Sequence, residues 1–271
     1  MSVATKADML SIESIRAQLD TPTVARQIYL FGQVASTNAT LRALARSGAA
    51  AGTVILAEEQ TAGRGRMGQP WFSPAGVNLY ASVLFRGAPR LDQAPIFSFI
   101  AGLALADAVA GFGVEPAIKW PNDVLVHGRK MGGSLVECAA RGDAVEFLIL
   151  GVGANLNVEL DALCAALGQA ADGATSLRAA TGKEVDRSAF AAAYLNALEV
   201  WAQRFRTQGP AAILDAWRDR DILTGRRVEI RGGGTAFVGR VAGLDEQGHL
   251  VVCGALGERR VVSTEEIHPC D

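Results

Sequence analysis

The chain has 271 residues, 49% of them hydrophobic, and a net charge of −2. That composition is ordinary for a globular protein of one large domain, or of a large and a small one. It gives no global basic bias toward nucleic acid, no apolar run long enough to span a bilayer, and no apolar leader followed by a cleavage site.

The four cysteines, Cys138, Cys164, Cys253 and Cys270, form no CxxC or Cys/His ligand pattern, so they read as reduced thiols of a cytoplasmic protein. Ile12, Ile15 and Leu19 fall at helical spacing and Pro22 ends the run, so residues 1–27 read as a short helical extension. Residues 28–31 are a buried strand. It leads into Ser36-Thr37-Asn38, where Ser36 or Thr37 is a natural helix N-cap. The same side chains also offer neutral hydrogen bonds to a polar ring.

Residues 54–57 and 78–84 read as strands that hold a loop between them. The loop runs Gly63-Arg64-Gly65-Arg66-Met67-Gly68-Gln69-Pro70-Trp71. Its glycines and proline rule out regular structure, and its two guanidiniums suit a carboxylate or phosphate. A solvated basic turn would look the same in composition. Residues 98–109 are apolar nearly all round and read as a buried helix.

Lys119-Trp120-Pro121-Asn122-Asp123 follows an apolar strand. Lys119 is there either a surface lysine beside an Asx turn or a point charge for an anion, and Asp123 can hold Mg²⁺. After a turn at His127-Gly128, Lys130 precedes Gly132-Gly133, where missing side chains let a ligand approach the backbone. Residues 147–157 are a core strand ending in Gly151-Val152-Gly153-Ala154-Asn155-Leu156-Asn157. This is no dinucleotide fingerprint, because the third glycine and the following helix are missing.

Residues 158–174 are weakly patterned and read as a flexible loop or a poorly ordered short helix. Thr175-Ser176 caps a short helix, Asp186 begins a longer one to about Phe205, and a third spans about 210–220. From Thr224 short alternating strands separated by glycines predict a small β-barrel of SH3-like size, with a domain boundary near residue 221.

Taken together, Gly63-Arg64-Gly65-Arg66 with Gly68 and Trp71, Lys119 to Asp123, Lys130 with Gly133, and Gly151 with Asn155 and Asn157 resemble the biotin protein ligases in order and spacing. Ser36-Thr37-Asn38, Gln60 and the C-terminal β-region match as well. The resemblance covers nearly all the chain from about residue 28. It implies an α+β fold: a class II synthetase-like catalytic domain over 1–221, a mixed sheet flanked by helices, and an SH3-like barrel over 222–271.

It also implies a two-step ligase. Biotin and MgATP give biotinyl-5′-AMP, and a lysine of a biotin carboxyl carrier protein then attacks the mixed anhydride. Ser36, Thr37, Asn38, Gln60, Gly63 and Gly133 would line the biotin pocket. Arg64, Gly65 and Arg66 would fold over biotin and adenylate. Lys119 would sit at the carboxylate–phosphate junction with Lys130 on the same anion. Gln69, Trp71, Asn122 and Asn155 would lie on the nucleotide side with Arg66 and Lys130.

Gln69 stands where the family often has arginine, and Ala174 stands where some members stack tryptophan on adenine, which points to Trp71 instead. The resemblance implies neither DNA nor a membrane as partner, since no chain is available here for the DNA-binding module of repressor members. Members of the family can dimerise by pairing sheet edges. A lipoate or octanoate ligase or transferase of related fold is the neighbouring alternative.

Overall fold

The computed structural model describes residues 9–87, 91–142, 144–232, 235–255, 257, 259–262 and 266–269. Residues 1–8 of the predicted extension, the turn glycines Gly233 and Gly234, and Cys270 lie outside them.

The centre is a seven-stranded mixed sheet ordered β1-β2-β3-β7-β6-β5-β4. Its strands are β1 (Gln27–Val34), β2 (Thr53–Gln60), β3 (Leu79–Phe85), β4 (Pro116–Lys119), β5 (Asp123–Val126), β6 (Arg129–Arg141) and β7 (Ala144–Ala154). β1 and β2 pair parallel and every other neighbour pair is antiparallel.

Both faces of the sheet are covered, which is why its central strands read as continuous apolar runs. Val54, Leu56, Val83, Leu148 and Leu150 face one way, into the main core. Ile55, Leu84, Phe147 and Ile149 face the other, onto Leu41 and Ala45 of α2 (Thr37–Arg46).

The main-core face carries α3 (Ile96–Ala110) and α6 (Arg187–Arg218). Phe97 meets Phe205 edge-on at 5.4 Å, and Phe99 meets Trp217 at 4.6 Å. Gly102 makes that contact available, since a methyl there would lie 2.8 Å from the Trp217 ring. Residues 91–110 are in fact apolar and long enough to cross a membrane, contrary to the sequence expectation. Here they form core instead, with Ile100, Leu103, Ala104 and Leu105 fully buried.

Two further elements differ from expectation. The N-terminal helix is only α1 (Ile12–Arg16), anchored by buried Ile15. The weakly patterned stretch after β7 is ordered as α4 (Leu160–Leu167) and a 3₁₀ turn over Gly168–Gly173, and α5 (Leu177–Thr181) follows behind a Ser176 cap. The two predicted C-terminal helices are both present as the two arms of α6, divided at non-helical Gly209 (φ 76°) before Pro210, which lacks the N–H needed to continue a ladder.

Residues 220–222 run beside β4, with Ile118 N–H donating to Arg220 O and Ile222 N–H to Ile118 O. Beyond them a five-stranded antiparallel sheet is ordered β11-β10-β9-β8-β12. These strands are β8 (Arg227–Gly232), β9 (Thr235–Leu244), β10 (Leu250–Gly254), β11 (Arg259–Val262) and β12 (Glu266–Pro269). Val228, Ile230, Val241, Leu250 and Val252 belong to the same apolar core as the large sheet.

Candidate active site

Strand ends and turns converge on one cleft of about 480 Å³. Ser36, Thr37, Asn38, Gln60, Arg64, Gly65, Arg66, Gln69, Trp71, Lys119, Asn122, Asp123, Lys130, Gly133 and Asn155 all line it. Of the sequence-predicted residues only Gly63 does not. It is buried behind the loop, its carbonyl accepts from Trp71 N–H at 2.9 Å, and a methyl there would lie 2.6 Å from Ser73 Oγ. Its role is to let the two arms of the loop cross.

The loop itself is a narrow hairpin. Gly65 N–H donates to Gln69 O at 2.7 Å, and the tip turns through left-handed Met67 (φ 53°) and Gly68 (φ 75°). This throws Met67 outward, 66% exposed.

One end of the cleft is neutral and polar. Ser36 stands at the N-cap position of α2, yet its side chain makes no capping bond, so the hydroxyl stays available. Gln60 Oε1 accepts from Thr37 N–H at 2.9 Å and Gln60 Nε2 donates to Ser73 Oγ at 3.0 Å. Asn38 bonds Ser82, Leu135 O and Glu137. No motif flagged Ser73, Ser82 or Glu137. Ser82 did leave a signal, a hydroxyl inside the apolar strand Leu79–Phe85.

The middle of the cleft is cationic: Arg64, Arg66, Lys119 and Lys130 face a single carboxylate, Asp123. Lys130 Nζ lies 2.5 Å from Asp123 Oδ1 and 5.5 Å from the centre of the Trp71 ring. Arg66 lies over Trp120 at 6.0 Å. Burial lowers the Arg66 pKa from its usual value, and the charge of Asp123 opposes the shift. Lys119 pairs with Asp123 across the β4–β5 hairpin through the backbone register. Among the described residues, neither the Lys119 nor the Arg64 side chain has a hydrogen-bond or ion-pair partner.

Asn122 and Asn155 line the wall, but their amides are engaged internally. Asn122 Nδ2 donates to Ser134 O at 2.6 Å and Asn155 Nδ2 to Thr175 O at 3.1 Å. They hold turns against the sheet. Trp71 packs against the sheet where a methyl at Gly153 would overlap its indole. Leu163, Leu167, Ala170 and Ala174, from the stretch expected to be a flexible loop or a poorly ordered short helix, give the cleft an apolar side.

Asp123 is a poor fit for a protein-held Mg²⁺, because Lys130 sits on its Oδ1. Nor do the described residues contain any group of three His, Cys, Asp or Glu able to hold a metal.

Residues 30–155 match the model of the Biotin/lipoate A/B protein ligase family. The chain is 37% identical over 238 residues to the biotin–[acetyl-CoA-carboxylase] ligase of Paracoccus denitrificans, covering 86% of this chain and 96% of that one. It is 38% identical over 248 residues to the enzyme of the same name from Mycobacterium tuberculosis, covering 88% and 86%. The structure superposes on the biotin protein ligase of Aquifex aeolicus in complex with biotin and ATP with a TM-score of 0.74, at 25% identity, covering 90% of this chain and 99% of that one. The fold, the bipartite cleft and these likenesses together make this chain a member of the biotin protein ligase family.

Proposed function

We propose that this chain joins biotin to ATP as biotinyl-5′-AMP and then transfers the biotinyl group to a lysine of a biotin carboxyl carrier protein. The observation that carries this is the charge division of the cleft: a neutral hydrogen-bonding end beside four cations and one carboxylate. The neutral end suits the uncharged ureido ring, and the cations suit the carboxylate and phosphates.

In the first step a biotin carboxylate oxygen attacks the α-phosphorus and pyrophosphate leaves. Two anions must meet, so fixed cations lower the barrier more than a general base would. Lys119 and Arg64, which have no side-chain partner among the described residues, serve the carboxylate–phosphate junction. Lys130 exchanges Asp123 for phosphate oxygens, and Arg66 adds its charge to the same anion from over Trp120. In the second step the acceptor amine attacks the acyl carbon and AMP leaves.

Mg²⁺ would come as part of the nucleotide substrate and would supply charge neutralisation at its phosphates, beside Lys130 and Asp123. The Trp71 face takes the adenine. The division of the chain at residue 221 and closure of the C-terminal sheet into an SH3-like barrel belong to the same reading. The parts at 222–271 then brace the catalytic domain.

The test is biotin-dependent ATP–pyrophosphate exchange, with lipoate in parallel and Lys119→Ala as control. Exchange is expected with biotin only, and a drop of about 100-fold or more in the variant. Exchange with lipoate alone would overturn the substrate, and exchange with neither would overturn activation.

A further inference from the structure

The N-terminal turn of α2 is seated over a gap in the sheet. Ser82, Gly151 and Leu135 are neighbours across β3, β7 and β6. A methyl at Gly151 would overlap Asn38 Oδ1, so the Asn38 amide fills the space that glycine leaves. Both amide N–H bonds are taken: Nδ2 donates to Glu137 Oε2 at 2.8 Å and to Leu135 O at 3.3 Å. The other Glu137 oxygen accepts from Arg42 at 2.5 Å, one helical turn beyond Asn38. A carboxylate only accepts hydrogen bonds. Glu137, through the shorter of the two bonds, therefore acts with the Leu135 carbonyl to set how Asn38 faces: nitrogen toward β6, oxygen toward Ser82.

Three oxygen–oxygen contacts meet there. Thr37 Oγ1 is 3.1 Å from Gln60 Oε1, Ser82 Oγ is 2.8 Å from Thr37 Oγ1, and Ser82 Oγ is 2.6 Å from Asn38 Oδ1. Thr37 and Ser82 have one hydroxyl proton each, so one contact goes without. This end of the cleft is short of a donor.

We propose that Glu137, held by Arg42, is a positioning residue. Through Asn38 it fixes the polar end as an acceptor surface and so selects a head group that presents N–H donors. The proposal rests on the biotin reading, since the ureido ring carries two such donors.

The experiment is a cycle between protein and ligand. Its probes are biotin and two analogues in which ring oxygen replaces one or the other ureido N–H. Binding is measured by titration calorimetry, with thermal unfolding alongside. Wild type should prefer biotin by about 10-fold or more over at least one analogue, because a site built for a donor rejects its absence.

Glu137→Met should cut that preference to about 3-fold or less while the KM for ATP stays within about 2-fold. A Glu137 that merely braces the helix would weaken biotin and analogue alike, and an unchanged ratio would overturn the proposal. Arg42→Met, a half-exposed change, gives a second arm should Glu137→Met fail to fold. It should lower the ratio without changing the preferred ligand, and a wild-type ratio there would overturn the proposal too. Wild type that binds no biotin would sink the biotin reading itself, and is told apart by that control.

Discussion

Glycine positions in β6 and β7 decide where the larger side chains of the site can lie. Gly133 and Gly153 are cross-strand partners, and a methyl at Gly153 would overlap the Trp71 indole. Gly153→Ala should therefore push Trp71 off the sheet and raise the KM for ATP by about 10-fold or more, with kcat less affected. Steady-state kinetics at saturating biotin check this. An unchanged KM would mean that adenine does not use this face. These glycines were visible as a motif, and their reason lies in what packs on them. Glu137 and Ser82 carry no motif at all. They become functional only through the register that sets Ser82 beside Gly151 and Leu135.

Among the elements, the least legible in sequence was α4. Leu160, Leu163 and Leu167 are spaced for a helix, but alanine and glycine around them blur the pattern, and Leu163 and Leu167 pack on a small separate cluster with Val158 and Ala174 at the cleft wall rather than on the main core. The strands were legible because burial on both faces leaves long apolar runs. The N-terminal segment was harder, because polar side chains elsewhere hold it. Leu10 N–H donates to buried Glu58 at 2.7 Å, and Thr23 and Val24 N–H donate to Glu199 at 2.9 and 2.6 Å.

Burial alone would raise the Glu199 pKa, but hydrogen bonds from Val24, Thr23 and Arg206 outweigh it and hold it below the usual value. A depressed carboxylate stabilises the fold above its unfolded pKa, near 4.3, and loses that contribution as pH falls through the folded value. Glu199→Gln should therefore cost about 1–3 kcal/mol at pH 7, and the gap to wild type should narrow in increasingly acid buffer. Denaturant unfolding at pH 7 and below pH 4 checks the sign. A gap that widens in acid would contradict it.

Across the whole molecule, the C-terminal sheet reaches the cleft through one turn. Gly248 is left-handed (φ 83°), and a methyl there would overlap Phe99 of α3 and come within 3.3 Å of Leu214 of α6. Its carbonyl accepts from Trp120 Nε1 at 3.0 Å, and the same indole carries Arg66 on its face. Trp120→Phe keeps a ring but leaves that carbonyl unpaired. It should cost about 1 kcal/mol, a fall of roughly 2–4 °C in Tm, and should also raise the KM of a substrate that Arg66 binds. A fall in Tm with unchanged KM would show that the contact joins the two sheets without serving the site.

The placement of the indoles has an optical consequence. Of four tryptophans, Trp71 and Trp120 line the cleft beside cations, while Trp201 and Trp217 are buried in the helical layer. A nucleotide that moves Lys130 or Arg66 changes the field at the first two and leaves the others as an internal reference. Intrinsic emission can then follow loading of the enzyme without a label, and single Trp→Phe replacements at 71 and 120 would separate the signal reporting on Lys130 from that reporting on Arg66.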